Sequence, residues 1–594
     1  MFKWMITRKS GDFNKIAKEN NISPVTARLL RNRDIYEKED IERYLRADVT
    51  ALSSPLLLKD MEKAVSLMSV SINKGDKIRI IGDYDVDGVC SSYILNRGIS
   101  KCGGNVDVKL PHRLRDGYGL SVNLVDSAKA DGVDTIITCD NGIAALDAIK
   151  TAKEYGMTVI VTDHHEVGYE ETENGRRMKL PEADAVVDPK RYDNQNIYQE
   201  ICGAVVAYKF VEALIGYMNI DADECILKEL RVFAGWATVC DVMPMRDENR
   251  LFVLDSFENI KSVNNIGLNS LINATNVNCD SVNYYTYGFI LGPCLNAAGR
   301  LSSAEEGLRL LMESDPDTAK KLAKELKALN DDRKDMTTQG TATALSMLEQ
   351  YGDNIPDVIV LYMPDLHESL AGIIAGKVRE TVGHPTIILT DGSAEGEVKG
   401  SGRSIEAYHM YESLVEVSHL LVKFGGHKLA AGLSLKKSDI DALRDSLNKN
   451  SRLVQEDFDA VLHLDMELPI DYINLSVAKE IEMIGPFGTG NPEPLFAARN
   501  VEILNGKILG ANKNVGKYQI KGNNGRIYDM MVFQNIDKFD SFITKEYGDE
   551  VKNKMYSGEL EEPIKVTIAY SCSINTYRNE LNVQIIMKDF RKVS

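Results

Sequence analysis

Ile78-Arg79-Ile80-Ile81-Gly82-Asp83-Tyr84-Asp85-Val86-Asp87-Gly88 is the stretch that decides the reading of this chain. A β-branched run of the buried-strand type breaks at a glycine into three alternating carboxylates. Two like charges about 4 Å apart repel by roughly 4 kcal/mol at an effective dielectric near 20. A third makes such a turn costly unless a cation sits among them, and hard divalent cations coordinate oxygen. The alternative is a solvated acidic turn, which would carry the repulsion unrelieved.

Working outward, the same shape recurs. Thr135-Ile136-Ile137-Thr138-Cys139 runs into Asp140-Asn141-Gly142, and Thr158-Val159-Ile160-Val161-Thr162 runs into Asp163-His164-His165-Glu166. Asp241, in Cys240-Asp241-Val242-Met243-Pro244, follows an apolar stretch of helical character. Helical stretches at residues 91 to 101 and 142 to 155 separate the strands, the βαβ pattern of a parallel sheet. In open α/β sheets ligands gather outside the carboxyl ends of the strands. Carboxylates and imidazoles there suit a pair of hard or borderline metals about 3.5 to 4 Å apart.

Asp-Tyr-Asp-Val-Asp-Gly, Asp163-His164-His165, Cys202-Gly203-Ala204 and the Asp241 segment, with Asp140 between them, resemble the metal-site motifs of the DHH phosphoesterase superfamily. Leu291-Gly292-Pro293-Cys294-Leu295-Asn296-Ala297-Ala298-Gly299-Arg300, Lys399-Gly400-Ser401-Gly402-Arg403-Ser404, Phe424-Gly425-Gly426-His427 and Gly488-Thr489-Gly490-Asn491-Pro492 narrow the resemblance to the RecJ family of single-strand-specific 5' to 3' DNA exonucleases. It covers nearly the whole chain, with the motifs in one order. The resemblance implies two ions, Mn2+ or Mg2+. Asp85 with Asp140 would hold one, and Asp87, Asp140, His164 and Asp241 the other. His165 would contact the scissile phosphate and Asp163 would orient an imidazole. Where many superfamily members place a metal-binding His, this chain has Ile81, so no His ligand carries over there and Asp83 is expected to compensate.

The resemblance also orders the domains. Residues 1–75 form a helical segment leading in to the catalytic fold, 76–315 the DHH parallel-sheet catalytic domain, and 316–352 a connecting helix. Residues 353–455 form a second, nucleic-acid-binding α/β domain, and 456–594 an OB-fold β-barrel. From the residues alone, apolar positions at helical spacing after Pro316 support the long helix. Phe458 to Leu468 alternates as a half-buried strand, and later strand-like runs fit a small barrel of antiparallel strands.

At 594 residues the chain is too long for one core. With 44% apolar and 27% charged residues it has globular composition. No apolar run approaches the roughly 20 residues of a membrane span, the start lacks a secretory signal, and nine cysteines include no Cys-x-x-Cys pair. A reducing cytoplasm is expected. The net charge of -18 disfavours a protein that coats nucleic acid, yet a local basic groove suffices to track a strand.

Candidates for that groove are Arg113, Arg115, Arg300, Lys399 and Arg403. Ser401 with Arg403, and the backbone amides of Gly425 and Gly426 beside His427, read as phosphate-gripping loops, with ordinary tight turns as the alternative. Tyr118 could stack on a base or simply pack its loop. Cys202 reads as a small buried hydrophobe. No Ser/His/Asp or Cys/His arrangement competes as nucleophile, which leaves water acidified by metal. The expected function is 5' to 3' hydrolysis of single-stranded DNA in recombination and repair, with a helicase or single-strand-binding protein as possible partner and no membrane. The other readings are a phosphodiesterase for short oligoribonucleotides or cyclic dinucleotides, whose relatives end after the Gly-Gly-His domain, and a catalytically silent binding module.

Overall fold

The computed structural model describes residues 2–112, 119–172, 175–194, 198–221, 224–352, 354–392, 394–510, 513–533, 535–577 and 580–593. They form two compact units, Ala51–Phe458 and a second made of Met1–Thr50 with Asp459–Ser594. Among the described residues no helix is long and apolar enough to cross a membrane.

In Ala51–Phe458 a parallel sheet runs in the order Asn105–Lys109, Lys77–Ile81, Thr135–Cys139, Thr158–Thr162, Ala185–Val187. The central strands Thr135–Cys139 and Thr158–Thr162 are almost wholly buried because both faces are covered, whereas the edge strand Asn105–Lys109 is half-exposed. Ile80, Ile137, Ile160 and Val187 enter one core, while Ile81, Ile136, Val159 and Val161 enter the other, as alternation along a strand requires. The first core is closed by the helices Val86–Lys101, Gly203–Tyr217 and Glu224–Cys240.

Pro316–Leu348 is one helix of 33 residues, about 50 Å long. Asp315 caps it by accepting from the Thr318 amide, and Pro316 occupies the first turn. Leu322, Ala323 and Leu326 enter the core of the first sheet, whereas Ala344 and Leu348 pack with Ile359, Leu361 and Ile374 of a second lobe. That lobe holds a five-stranded sheet in the order Leu421–Gly426, Ala430–Lys436, Glu397–Arg403, Thr386–Asp391, Ile359–Tyr362, of which only the last pair is parallel.

The other unit contains the barrel. Phe496–Leu509, Val515–Lys521, Ile527–Val532, Glu580–Lys592 and Ile564–Tyr577 follow one another, and the last pairs back to the first. The expected all-antiparallel barrel needs one correction, since Ile527–Val532 and Glu580–Lys592 pair in parallel. The helices Ile536–Tyr547 and Asp549–Ser557 carry the chain across before the final hairpin returns beside that strand.

The opening residues differ from expectation. Lys3–Ile6 is a strand paired in parallel with Val461–Leu464, and the helices Pro24–Asn32 and Lys38–Arg46 bury Leu29, Leu30 and Ile41 in the core of the barrel unit. Met61–Lys74, with Leu52 and Leu58 ahead of it, packs with the catalytic core instead. Amphipathic spacing marks an apolar face without naming what covers it. The alternating stretch after Phe458 breaks at Asp465, whose carboxylate accepts from Asn32 Nδ2 at 3.0 Å and the Leu495 amide at 3.2 Å.

Candidate metal centre and strand-binding residues

The centre is built where the strands end. Asp85 caps the helix Val86–Lys101, its Oδ1 accepting from the Asp87 and Gly88 amides at 2.9 and 3.1 Å. The following turn places Asp87 against the start of Gly203–Tyr217, where it accepts from the Gly203 and Ala204 amides at 2.6 and 2.8 Å. A carboxylate suits a helix N-terminus, which accounts for the Cys202-Gly203-Ala204 motif. A Cβ on Gly203 would lie 2.7 Å from Asp140 Cβ and 3.0 Å from Asp87 Oδ2. Gly203→Ala is therefore expected to displace two site carboxylates and slow hydrolysis roughly 100-fold, the scale of a 1 Å misplacement. Initial rates across a manganese titration check this, and a wild-type rate would remove the steric account.

His164 Nε2 lies 3.1 Å from Asp140 Oδ1, 3.5 Å from Asp87 Oδ2 and 3.7 Å from Asp241 Oδ2. Asp87, His164 and Asp241 form one set, Asp140, His164 and His165 a second, and Asp83, Asp85 and Asp140 a third, and the ligand atoms within each set lie within 4.8 Å of one another. Burial, then the charge of Asp85, pushes Asp83 up to about 8. Burial followed by neighbouring aspartates also raises Asp85, Asp140 and Asp241, while burial lowers His164. Asp83 Oδ2 is buried with no hydrogen-bond partner. Hard oxygen donors, one imidazole and unrelieved negative charge fit divalent cations.

Asp163 is consumed by structure. Its Oδ1 accepts from the His164 and His165 amides and from His165 Nδ1 at 2.8 Å, and its Oδ2 accepts from the Ile143 amide. Although burial pushes Asp163 up, the His165 hydrogen bond, the charges of His165 and His164 and the Ile143 amide together outweigh it and hold the carboxyl below its usual range. Burial opposes the same bond in His165, which is nonetheless pushed up to about 9. Cys202 is buried with its sulfur 3.5 Å from Thr238 Oγ1.

Arg300 and Arg403 belong to the same unit as this centre. A Cβ on Gly299 would lie 2.4 Å from the Tyr84 carbonyl, so the helix Gly292–Leu301 rests on the acidic turn, and Arg300 Nη1 donates to the Ser369 carbonyl of the second lobe at 2.9 Å. Ser401 and Arg403 lie on the strand Glu397–Arg403 rather than in a loop. Its glycines are there for packing, since a Cβ on Gly400 would meet Leu389 at 2.4 Å. Arg403 Nη1 donates to Ser401 Oγ at 3.0 Å and to the Gly402 carbonyl at 2.8 Å. Burial and then nearby Arg379 hold its guanidinium below the usual range, and no carboxylate pairs with it among the described residues. Lys399 pairs with Glu368 at 3.1 Å.

Gly425 and Gly426 likewise end a strand, and the His427 amide donates to the Ala430 carbonyl at 2.8 Å, closing a hairpin. Gly426 has φ +148, and a Cβ there would meet the Ala430 carbonyl at 2.4 Å. Arg113, Arg115 and Tyr118 lie outside the described residues.

Sequence reasoning assigned no role to two residues that the structure places at the strand ends. Asn141 donates to the Ile81 and Cys139 carbonyls at 3.0 and 2.8 Å and accepts from the Leu120 amide, tying adjacent strand ends together. Asp188 follows Ala185–Val187 and is fully buried, pushed up to about 7 by burial and the charge of Asp163. An acidic residue directly after an apolar run was a signal present there too.

Residues 77–232 match the DHH family, N-terminal domain, 356–452 the DHHA1 domain, and 464–589 the RecJ OB domain. The single-stranded-DNA-specific exonuclease RecJ of Bacillus subtilis is 33% identical over 99% of this chain and 70% of its own length. Its Escherichia coli counterpart is 31% identical over 95% of each chain. The crystal structure of RecJ in complex with Mn2+ from Thermus thermophilus aligns with a TM-score of 0.79 and 25% identity, over 99% of this chain and 79% of that one. With three domain families matched in order and relatives aligned over nearly all of its length, the chain belongs to the RecJ family of single-stranded-DNA-specific exonucleases.

Proposed function

We propose that this chain is a metal-dependent exonuclease that hydrolyses the phosphodiester bonds of single-stranded DNA from the 5' end, in recombination and repair. The observation that carries the reading is the meeting of Asp87, Asp140 and Asp241 around one imidazole nitrogen. Asp85 with Asp140 would hold one Mn2+ or Mg2+ ion and Asp87, Asp140, His164 and Asp241 a second, with Asp83, whose buried Oδ2 has no hydrogen-bond partner, beside the first. When bound, such ions supply Lewis acidity at phosphorus and acidify water for attack.

The chain's own groups position and neutralise. Asp163 fixes His165 through Nδ1, and the imidazole so oriented is assigned to the scissile phosphate. The partly buried Arg403 guanidinium, lacking a carboxylate, suits a phosphate together with Ser401, and Arg300, Gly425, Gly426 and His427 are assigned to the same strand path. The barrel holds longer strands by stacking and electrostatic contact. The reading extends to a reducing cytoplasm, supported by nine free cysteines, and to a helicase or single-strand-binding protein that delivers the strand.

The test is digestion of end-labelled single-stranded DNA and RNA of several lengths with manganese or magnesium. A 5' label should leave as a short product at the earliest times while a 3' label persists in a shortening ladder. Cleavage of a circular strand at a similar rate would overturn the exonuclease reading. Arg403→Ala is expected to weaken strand handling by roughly 10- to 150-fold, the 1.5 to 3 kcal/mol of a charge-assisted contact, with metal retained. Loss of manganese with normal DNA binding would reverse that role.

A further inference from the structure

Tyr285 and Phe289 are 62% and 57% exposed, and their rings stack with centroids 5.0 Å apart and planes within 13°. Neither has a part in the centre described above. Tyr285 directly precedes the π-helical turn Thr286–Leu291 and Phe289 lies within it; the turn leads directly into the helix Gly292–Leu301, and π turns concentrate at functional sites. Tyr287, Leu291, Cys294, Leu295 and Ala298 form the buried side of this segment. Tyr285, Phe289, Pro293, Asn296 and Arg300 form the outer side, at spacings of three and four that make one stripe.

The back of the turn lies on the last turn of Glu224–Cys240. Cys240 Sγ donates to the Tyr287 carbonyl at 3.5 Å, and a Cβ on Gly292 would lie 2.4 Å from that sulfur. The next residue is Asp241. At the far end of the stripe Gly299 meets the Tyr84 carbonyl and Arg300 reaches Ser369. The segment that carries the stripe on its outer side therefore runs from the residue before Asp241 to the acidic turn.

The geometry points to Tyr285 and Phe289 as a stacking platform for the bases of the single strand whose backbone passes Arg300. This rests on the reading of the centre as a single-strand nuclease and adds a base-contacting site to it. Nucleobases are the occupant because the surface is a pair of near-parallel aromatic planes continuous with a phosphate-binding arginine. Stacking tolerates any sequence, since every base has a π face, as a non-specific exonuclease needs.

The test uses the full-length chain with oligothymidylate and with the same strand carrying an abasic block confined to the nucleotides next to the scissile end, so that the bases offered to the barrel are the same in both. The parent chain should bind the base-bearing strand more tightly. Tyr285→Ala with Phe289→Ala should erase that preference, with a loss on the order of 5- to 150-fold for one or more bases. Tyr285→Leu with Phe289→Leu keeps the apolar surface but removes the π faces, and should erase it too. Tyr285→Phe with Phe289→Trp should retain it. A leucine pair that keeps the preference would overturn the platform and assign the patch to a protein partner, while the nuclease reading would stand. A parent chain that neither binds nor degrades single strands would overturn both.

Discussion

Asp140→Asn is expected to abolish hydrolysis while leaving the chain folded. Asp140 is common to two of the residue sets that could hold a metal and lies within 3.1 Å of His164 Nε2, so no other group substitutes for its carboxylate. Asparagine is preferred to alanine because Asp140 has φ 59, a left-handed conformation that costs ordinary residues about 1 to 2 kcal/mol and that Asn tolerates. The fold should gain. Burial and nearby aspartates raise the Asp140 carboxyl pKa, and a carboxyl with a raised folded-state pKa destabilises the fold once pH exceeds its unfolded value. Removing the charge should raise the metal-free melting temperature, by about 1 °C per kcal/mol relieved in a unit of this size. Near-normal turnover at saturating manganese would sink the shared-ligand assignment, and a lower metal-free melting temperature would show that the carboxylate is structurally required.

The second large effect concerns the barrel unit. A chain limited to residues 51–458 should cleave very short oligonucleotides but bind long single strands on the order of 100-fold more weakly, given about 1 to 3 kcal/mol per stacked base. Both ends must be removed together. Leu29, Leu30 and Ile41 share a core with Phe496, Ile503 and Ile568, so a cut near Glu456 alone would leave that apolar surface uncovered. Among the described residues, the cores of 51–458 draw only on that unit. Unchanged affinity for a long strand would give the barrel another task and return a short-substrate phosphodiesterase to contention.

The catalytic half was legible because its signals are local. An apolar strand ending in Asp83 or Asp140, or in Asp163 just ahead of His164, announces both the sheet and the groups that gather at its end, and the helix from Pro316 follows from spacing and a cap. What escaped was set by distant contacts. Ser401 and Arg403 resembled a loop because glycine usually marks turns, but Gly400 and Gly402 are small so that Leu389 and Met410 can pack over the strand. The destination of Leu29 and Leu30 was invisible because an amphipathic face does not specify its partner. The role of Gly203 needed the fold itself, since only there does Asp140 come close.

The 33-residue helix Pro316–Leu348 also sets an angular phase. Each residue turns whatever follows by about 100° and advances it about 1.5 Å. One inserted residue between Leu326 and Ala344 would swing Ser369 away from Arg300 and carry Arg403 round the helix axis. Seven would restore the bearing to within about 20° while lengthening the rod by about 10 Å. The alignment of the second lobe with the metal centre is thus stored as a residue count modulo the helical turn, and insertions or deletions there are tolerable only in steps close to whole turns.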